Sequence, residues 1–164
     1  MLLDERTEFA DAASVVAVAG TTTLIGDTID LDAPEVSPNT VLDLEGSDVY
    51  LVIQTDTEII TGGAAGAIQF FLVSDALATL GGGVVANCTT HIASASLVTD
   101  DAAANSAQLN AGGVIFCGKL PTGSYEKYLG ILCTVTTTDV TAGKINAFLT
   151  NDPALWRPYA DNVA

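Results

Sequence analysis

Basic side chains are few in this 164-residue sequence: 5 Lys and Arg stand against 20 Asp and Glu, a formal net charge of −15 at pH 7. Nucleic-acid recognition needs Lys and Arg clustered closely enough to displace counterions from phosphates. Arg6, Lys119, Lys127, Lys144 and Arg157 are widely scattered, so nucleic acid and an anionic membrane surface are excluded as partners. Charge of either sign is low, at 15% of residues, where an average chain carries about 25%. Aromatics are sparse at 6%, with one tryptophan. No apolar run approaches the roughly 18 residues of a spanning helix. The opening "MLLDERTEFADA" is acidic and lacks a cationic stretch before an apolar one, so it does not read as a secretory signal.

One histidine, His91, and three cysteines, Cys88, Cys117 and Cys133, restrict the chemistry further. Nucleophilic catalysis by a Ser–His–Asp or Cys–His arrangement needs a base oriented by a third group. No GxSxG elbow accompanies His91, which sits in an alternating stretch and reads as a satisfied structural residue. The Cys88–His91 spacing puts the two on opposite faces of a strand, because odd offsets alternate. The cysteines lie far apart in apolar runs and read as buried, reduced thiols of a chain made in a cytoplasm. The glycine runs "TGGAAGA" and "LGGGVV" lack the Lys-Ser/Thr pair of a phosphate loop and open onto no helix. The acid groups Asp27, Asp30 and Asp32, and Asp43, Glu45 and Asp48, supply oxygen ligands of the kind calcium takes. They lack the spacing and distal bidentate Glu of an EF-hand. No catalytic residue, metal ligand or cofactor site is assigned, and the chain is not read as an enzyme.

What the sequence has is apolar surface and alternation. It is 49% hydrophobic with 15 glycines, and its mean hydropathy of +0.43 points to surface covered by partners. Period-two runs separated by Gly, Pro, Asn and Asp dominate after residue 20. Val49, Leu51 and Ile53 share one face of "VYLVIQT", and Ile68, Phe70 and Leu72 one face of "AIQFFLV". The glycines of "DTEIITGGAAG" between these runs suit a hairpin. Leu129, Ile131, Cys133 and Val135 form another face, as do Ile145, Ala147 and Leu149. "TLIGDTIDL", "NTVLDLEG", "TTHIASASLV" and "GGVIFCGKL" read as further strands. "SDALATL" suits a helical turn or two, and "DDAAANSAQLNA" a loop with a possible turn. About eight short strands make an all-β antiparallel sandwich or barrel of one domain, with short helical turns.

Two ends flank that domain. Residues 1–20 read as an N-terminal arm whose Leu2, Leu3, Arg6 and Phe9 contact a partner. Residues 21–150 form the sandwich and 151–164 a C-terminal clip. In "DPALWRP", Asp152 is a suitable N-cap, Pro153 suits the first helical position and Pro158 blocks continuation. The clip folds back on the sandwich or inserts into a neighbour, with Trp156, Arg157 and Tyr159 as interface residues.

"MLLDERTEFADA", "LIGDTIDL", "YLVIQTDT", "IQFFLVSDA" and the ending "YLGILCTVTTTDVTAGKINAFLTNDPALWRPYAD" together resemble the Bbp16-type capsid cement proteins of tailed bacteriophages. The resemblance runs from the first residue nearly to the last and is weakest over roughly residues 80 to 125. It implies a jelly roll on the outer surface of a virion head, stabilising the shell by bridging subunits of a major capsid protein. The partners it implies are that capsid protein and other copies of this chain, as a dimer in preference to a trimer. A jelly-roll carbohydrate-binding module is the alternative, with Trp156, Tyr125, Tyr128 and Tyr159 as stacking aromatics.

Overall fold

The computed structural model describes residues 7–32, 48–100 and 105–153. Nine strands are described: β1 (Glu8–Ser14), β2 (Thr22–Asp30), β3 (Tyr50–Thr61), β4 (Gly66–Asp75), β5 (Thr89–Ala93), β6 (Leu97–Thr99), β7 (Val114–Lys119), β8 (Tyr128–Thr136) and β9 (Val140–Thr150). One sheet, A, runs β1-β9-β3-β7. The other, B, runs β2-β8-β4-β5, with β6 continuing β5 along the same edge of β4. Every pairing is antiparallel. Leaving β6 aside, the first strand pairs the last, the second the second-last, and so inward to β4 and β5. A long hairpin wound on itself in this way is the two-Greek-key jelly roll.

Alternation supplies the core as the sequence predicts. Leu51 and Ile53, Ile68, Phe70 and Leu72, Leu129 to Val135 at every second residue, and Ile145, Ala147 and Leu149 all point between the sheets and are buried. Each such large aliphatic or aromatic side chain contributes about 1.5–3 kcal/mol on burial. A smaller cluster covers the outer face of sheet B, where Val73 and Leu132 take Leu80 between them. Leu80 reaches that seat because the short turn Leu80–Gly83 is left-handed through Leu80, Gly81 and Gly82. Gly130 has no side chain to occupy the same space; a Cβ there would overlap the Leu80 methyl.

Three expectations are corrected. Residues 62–65 do not close a hairpin, since β3 lies in sheet A and β4 in sheet B; glycines make the turn but do not decide whether it stays within a sheet. Residues 8–14 are not an arm. They form edge strand β1 against β9, with Phe9 only 1% exposed in the core. Cys117 is exposed, because its register opposite Val52 turns it to the outer face of sheet A. Cys88 is half-buried, and Cys133 is buried as expected. "SDALATL" ends in the single turn at Leu80, and "DDAAANSAQLNA" contributes a 3₁₀ turn at Ala107–Leu109. "NTVLDLEG" lies outside the described residues.

The two poles of the sandwich differ. At one, short links at residues 62–65 and 137–139 carry the chain between sheets. At the other, the start of β1 meets the end of β9 (Glu8 opposite Phe148), and the start of β3 meets both the end of β9 and the end of β7. Residues 120–127 cross that second pole from β7 to β8. Leu120 and Tyr125 pack on the core, the Leu120 N–H donates to the Val49 carbonyl at 2.9 Å, and the Lys127 carbonyl accepts from Leu31 N–H at 2.8 Å.

Candidate interface pole and the histidine cluster

Of the seven residues read from the sequence as partner contacts, Phe9 is spent inside the core, where its ring cannot reach a partner. Leu2, Leu3, Arg6, Trp156, Arg157 and Tyr159 lie outside the described residues. The described strands nevertheless fix where both segments join the domain. β1 begins beside the end of β9, so the first and last described strands meet at the second pole.

Ion pairs border that pole. Lys119 Nζ lies 2.5 Å from Asp48 Oδ1, and both side chains are well exposed. Their hydrogen bond, with the charge attraction behind it, holds the Asp48 carboxyl below and the Lys119 ammonium above their ordinary ranges. At such exposure solvent screening leaves the pair little stabilising effect. Lys127 reaches Asp30 at 3.7 Å and Asp32 at 4.0 Å, and its ammonium is raised chiefly by Asp30. Asp30, Asp32 and Asp48 are thus engaged with lysines, while Asp43 and Glu45 lie outside the described residues. Among the described residues no three His, Cys, Asp or Glu side chains converge in a way that suits a metal ion.

Among the described residues, chemistry-bearing groups converge around His91 on β5. Its Nε2 lies 2.8 Å from Ser74 Oγ on β4. Ser74 Oγ also accepts the backbone N–H of Glu126 at 3.1 Å. The His91 ring stacks on Tyr125, centroids 4.1 Å apart. Thr89 Oγ1 donates to the Glu126 carboxylate at 2.7 Å, and the Tyr125 hydroxyl donates to the Pro121 carbonyl at 2.6 Å. Burial lowers the His91 pKa, and the nearby Glu126 carboxylate only partly opposes it. Ser74 is 0% exposed; with the ring proton on Nδ1 its hydroxyl donates to Nε2 and spends one of its two acceptor lone pairs on the Glu126 N–H. The cluster is a fastening of residues 120–127 to the edge of sheet B. Sequence reasoning recognised His91 as structural but missed Ser74 and Glu126, which lie 17 and 35 positions away in the chain and carry no local signal.

The same geometry bears on the stacking aromatics. Tyr125 has one ring face against His91, and Tyr128 packs beside the Val73–Leu80–Leu132 cluster with Lys127 Nζ 5.3 Å from its ring centroid. Both rings are thus partly buried against their own domain. No protein-family model matches the chain, and no curated protein matches it.

Proposed function

We propose that this chain is a capsid cement protein, binding the outer surface of a phage head and bridging major capsid protein subunits. The observation that supports the reading is the second pole, where β1 begins beside the end of β9. Segments that start together can reach across a seam between two neighbouring subunits while the sandwich holds their separation. The sequence resemblance supports the same reading, since it is strongest at the two ends of the chain. A net charge of −15 suits a basic receiving surface, whose complementarity would speed and orient docking. No catalytic step is part of this function. Trp156 and Arg157 belong to the residue types that dominate binding hot spots, and Leu2, Leu3 and Arg6 serve the neighbouring arm.

The test is addition of the purified protein to heads that lack it, followed by sedimentation. The full chain co-sediments and raises the temperature at which heads break. A chain lacking residues 2–6, which leaves β1 and Phe9 in place, keeps its fold and binds at least about 30-fold more weakly, a loss of some 2 kcal/mol on the hot-spot scale. Equal binding by both chains would remove the arm from the interface, and no binding by either would end the proposal.

A further inference from the structure

Residues 120–127 are tied down at both ends and latched near one of them. At the ends, Leu120 N–H donates to the Val49 carbonyl and the Lys127 carbonyl accepts from Leu31 N–H. Between them Pro121, Thr122, Gly123 and Ser124 are exposed. Gly123 has no atom beyond its chain neighbours within 4 Å of the point where a Cβ would stand. The next two residues supply contacts to sheet B. Tyr125 stacks on His91, the Glu126 N–H donates to Ser74 Oγ, and the Glu126 carboxylate accepts from Thr89 Oγ1.

Ser74 Oγ ties β4 to both β5 and residue 126 while His91 is neutral. A hydroxyl has one proton to donate and two lone pairs with which to accept. With Nε2 as acceptor, Ser74 donates to the ring and accepts the Glu126 N–H. A proton on Nε2 turns that nitrogen from acceptor to donor. Ser74 Oγ then faces two donors, and its own proton is left without an acceptor at a position 0% exposed. The other titratable groups of the packed elements do not restore the bond. Asp75 of β4 accepts from the backbone N–H groups of Leu77 and Gly81. Burial raises the pKa of Tyr125 and of the Cys88 thiol, so both stay uncharged. Tyr128 lies in the Leu80 cluster, and Lys127 is turned to Asp30 and Asp32. Glu126 favours the charged ring, and movement of the ring towards that carboxylate takes it off Ser74.

We propose that residues 121–126 form a strap latched by neutral His91, which opens more readily once the ring takes up a proton. The opening is local, because Leu120 and Lys127 keep their backbone bonds while the exposed stretch 121–124 turns. It stands apart from the cement reading, and it changes the surface of the second pole, which these residues cross.

Amide hydrogen exchange of the full-length protein, read by NMR at about pH 7.5 and about pH 5, tests the latch. The Glu126 amide is compared with that of Leu132, which lies in β8 between β2 and β4, after correction for intrinsic exchange. Glu126 exchanges faster than Leu132 at both pH values, and its protection falls several-fold at the lower one. His91→Gln offers Ser74 a neutral oxygen acceptor, and its Glu126 protection is the same at both. Should that variant fail to fold, Glu126→Gln serves: it keeps an acceptor for Thr89 and removes the opposing carboxylate, so the fall in protection begins at a lower pH. Protection of Glu126 that does not change with pH would overturn the proposal. So would equal protection of Glu126 and Leu132, which would make the opening global, or a pH response that neither variant alters.

Discussion

Gly26 and His91 show how single residues set the local limits of this fold. Gly26, in β2, has φ +67, and a Cβ there would overlap the Phe9 carbonyl of β1. The closure of the sandwich along the β1–β2 side therefore depends on glycine at this position. Gly26→Ala combines backbone strain with overpacking, each about 1–3 kcal/mol. The expected loss is about 2–6 kcal/mol in urea denaturation, and a loss under 1 kcal/mol would show that the two strands separate freely. His91 makes stability depend on pH. Because its folded pKa is depressed, the unfolded chain binds a proton more readily, so stability is full above the ordinary histidine pKa. It declines as pH falls through that value and levels off below the folded pKa. His91→Phe keeps an aromatic against Tyr125 and removes the titration. Subtracting its urea midpoints from those of the wild type over about pH 5 to 7.5 isolates the effect. A difference that does not change with pH would contradict the assignment.

At the scale of strands, the cysteines mark three environments. Cys133 lies in β8 within the core, where burial pushes its thiol up to about 12. The Cys88 thiol is raised chiefly by burial, with Asp75 and Glu126 adding to it, while Cys117 faces solvent from edge strand β7. The thiolate is the reactive form, so a thiol reagent at pH 8 should modify Cys117 first, Cys88 more slowly and Cys133 only on unfolding. Mass spectrometry of the partly labelled protein checks that order; early labelling of Cys133 would contradict it. The central strands β3, β4, β8 and β9 were legible in the sequence because their alternation is long and one face is wholly apolar. β1 was not, since "EFADAAS" has one large apolar residue and gains its place from β9 and from the bare backbone of Gly26. Strand order was not legible: periodicity tells a strand from a helix, but not which sheet a strand joins, as the turn at residues 62–65 shows. Nor could spacing reveal that Val52 and Phe148, which alternate with core residues, are themselves buried, since alternation marks such positions as solvent-facing.

For the whole molecule, the two poles of the jelly roll are built differently. One pole is closed by short links. The other gathers the ends of β1 and β9, the crossing residues 120–127 and the lysine–carboxylate pairs. On the proposed cement reading, few charges, a strong acidic excess and high hydropathy belong to a domain that meets its partner at that pole. If acidic charge guides docking to a basic shell, raising salt from about 0.05 to 0.5 M should slow association far more than it speeds release. Equal effects on both rates would remove electrostatic steering from the account. The most direct measurement of the central claim is the protein composition of purified phage particles. Capsid cement predicts this chain in a fixed stoichiometric ratio to the major capsid protein, on the outer surface, and retained through washing at moderate salt. Its absence from intact particles, or a trace amount that varies between preparations, would contradict the claim.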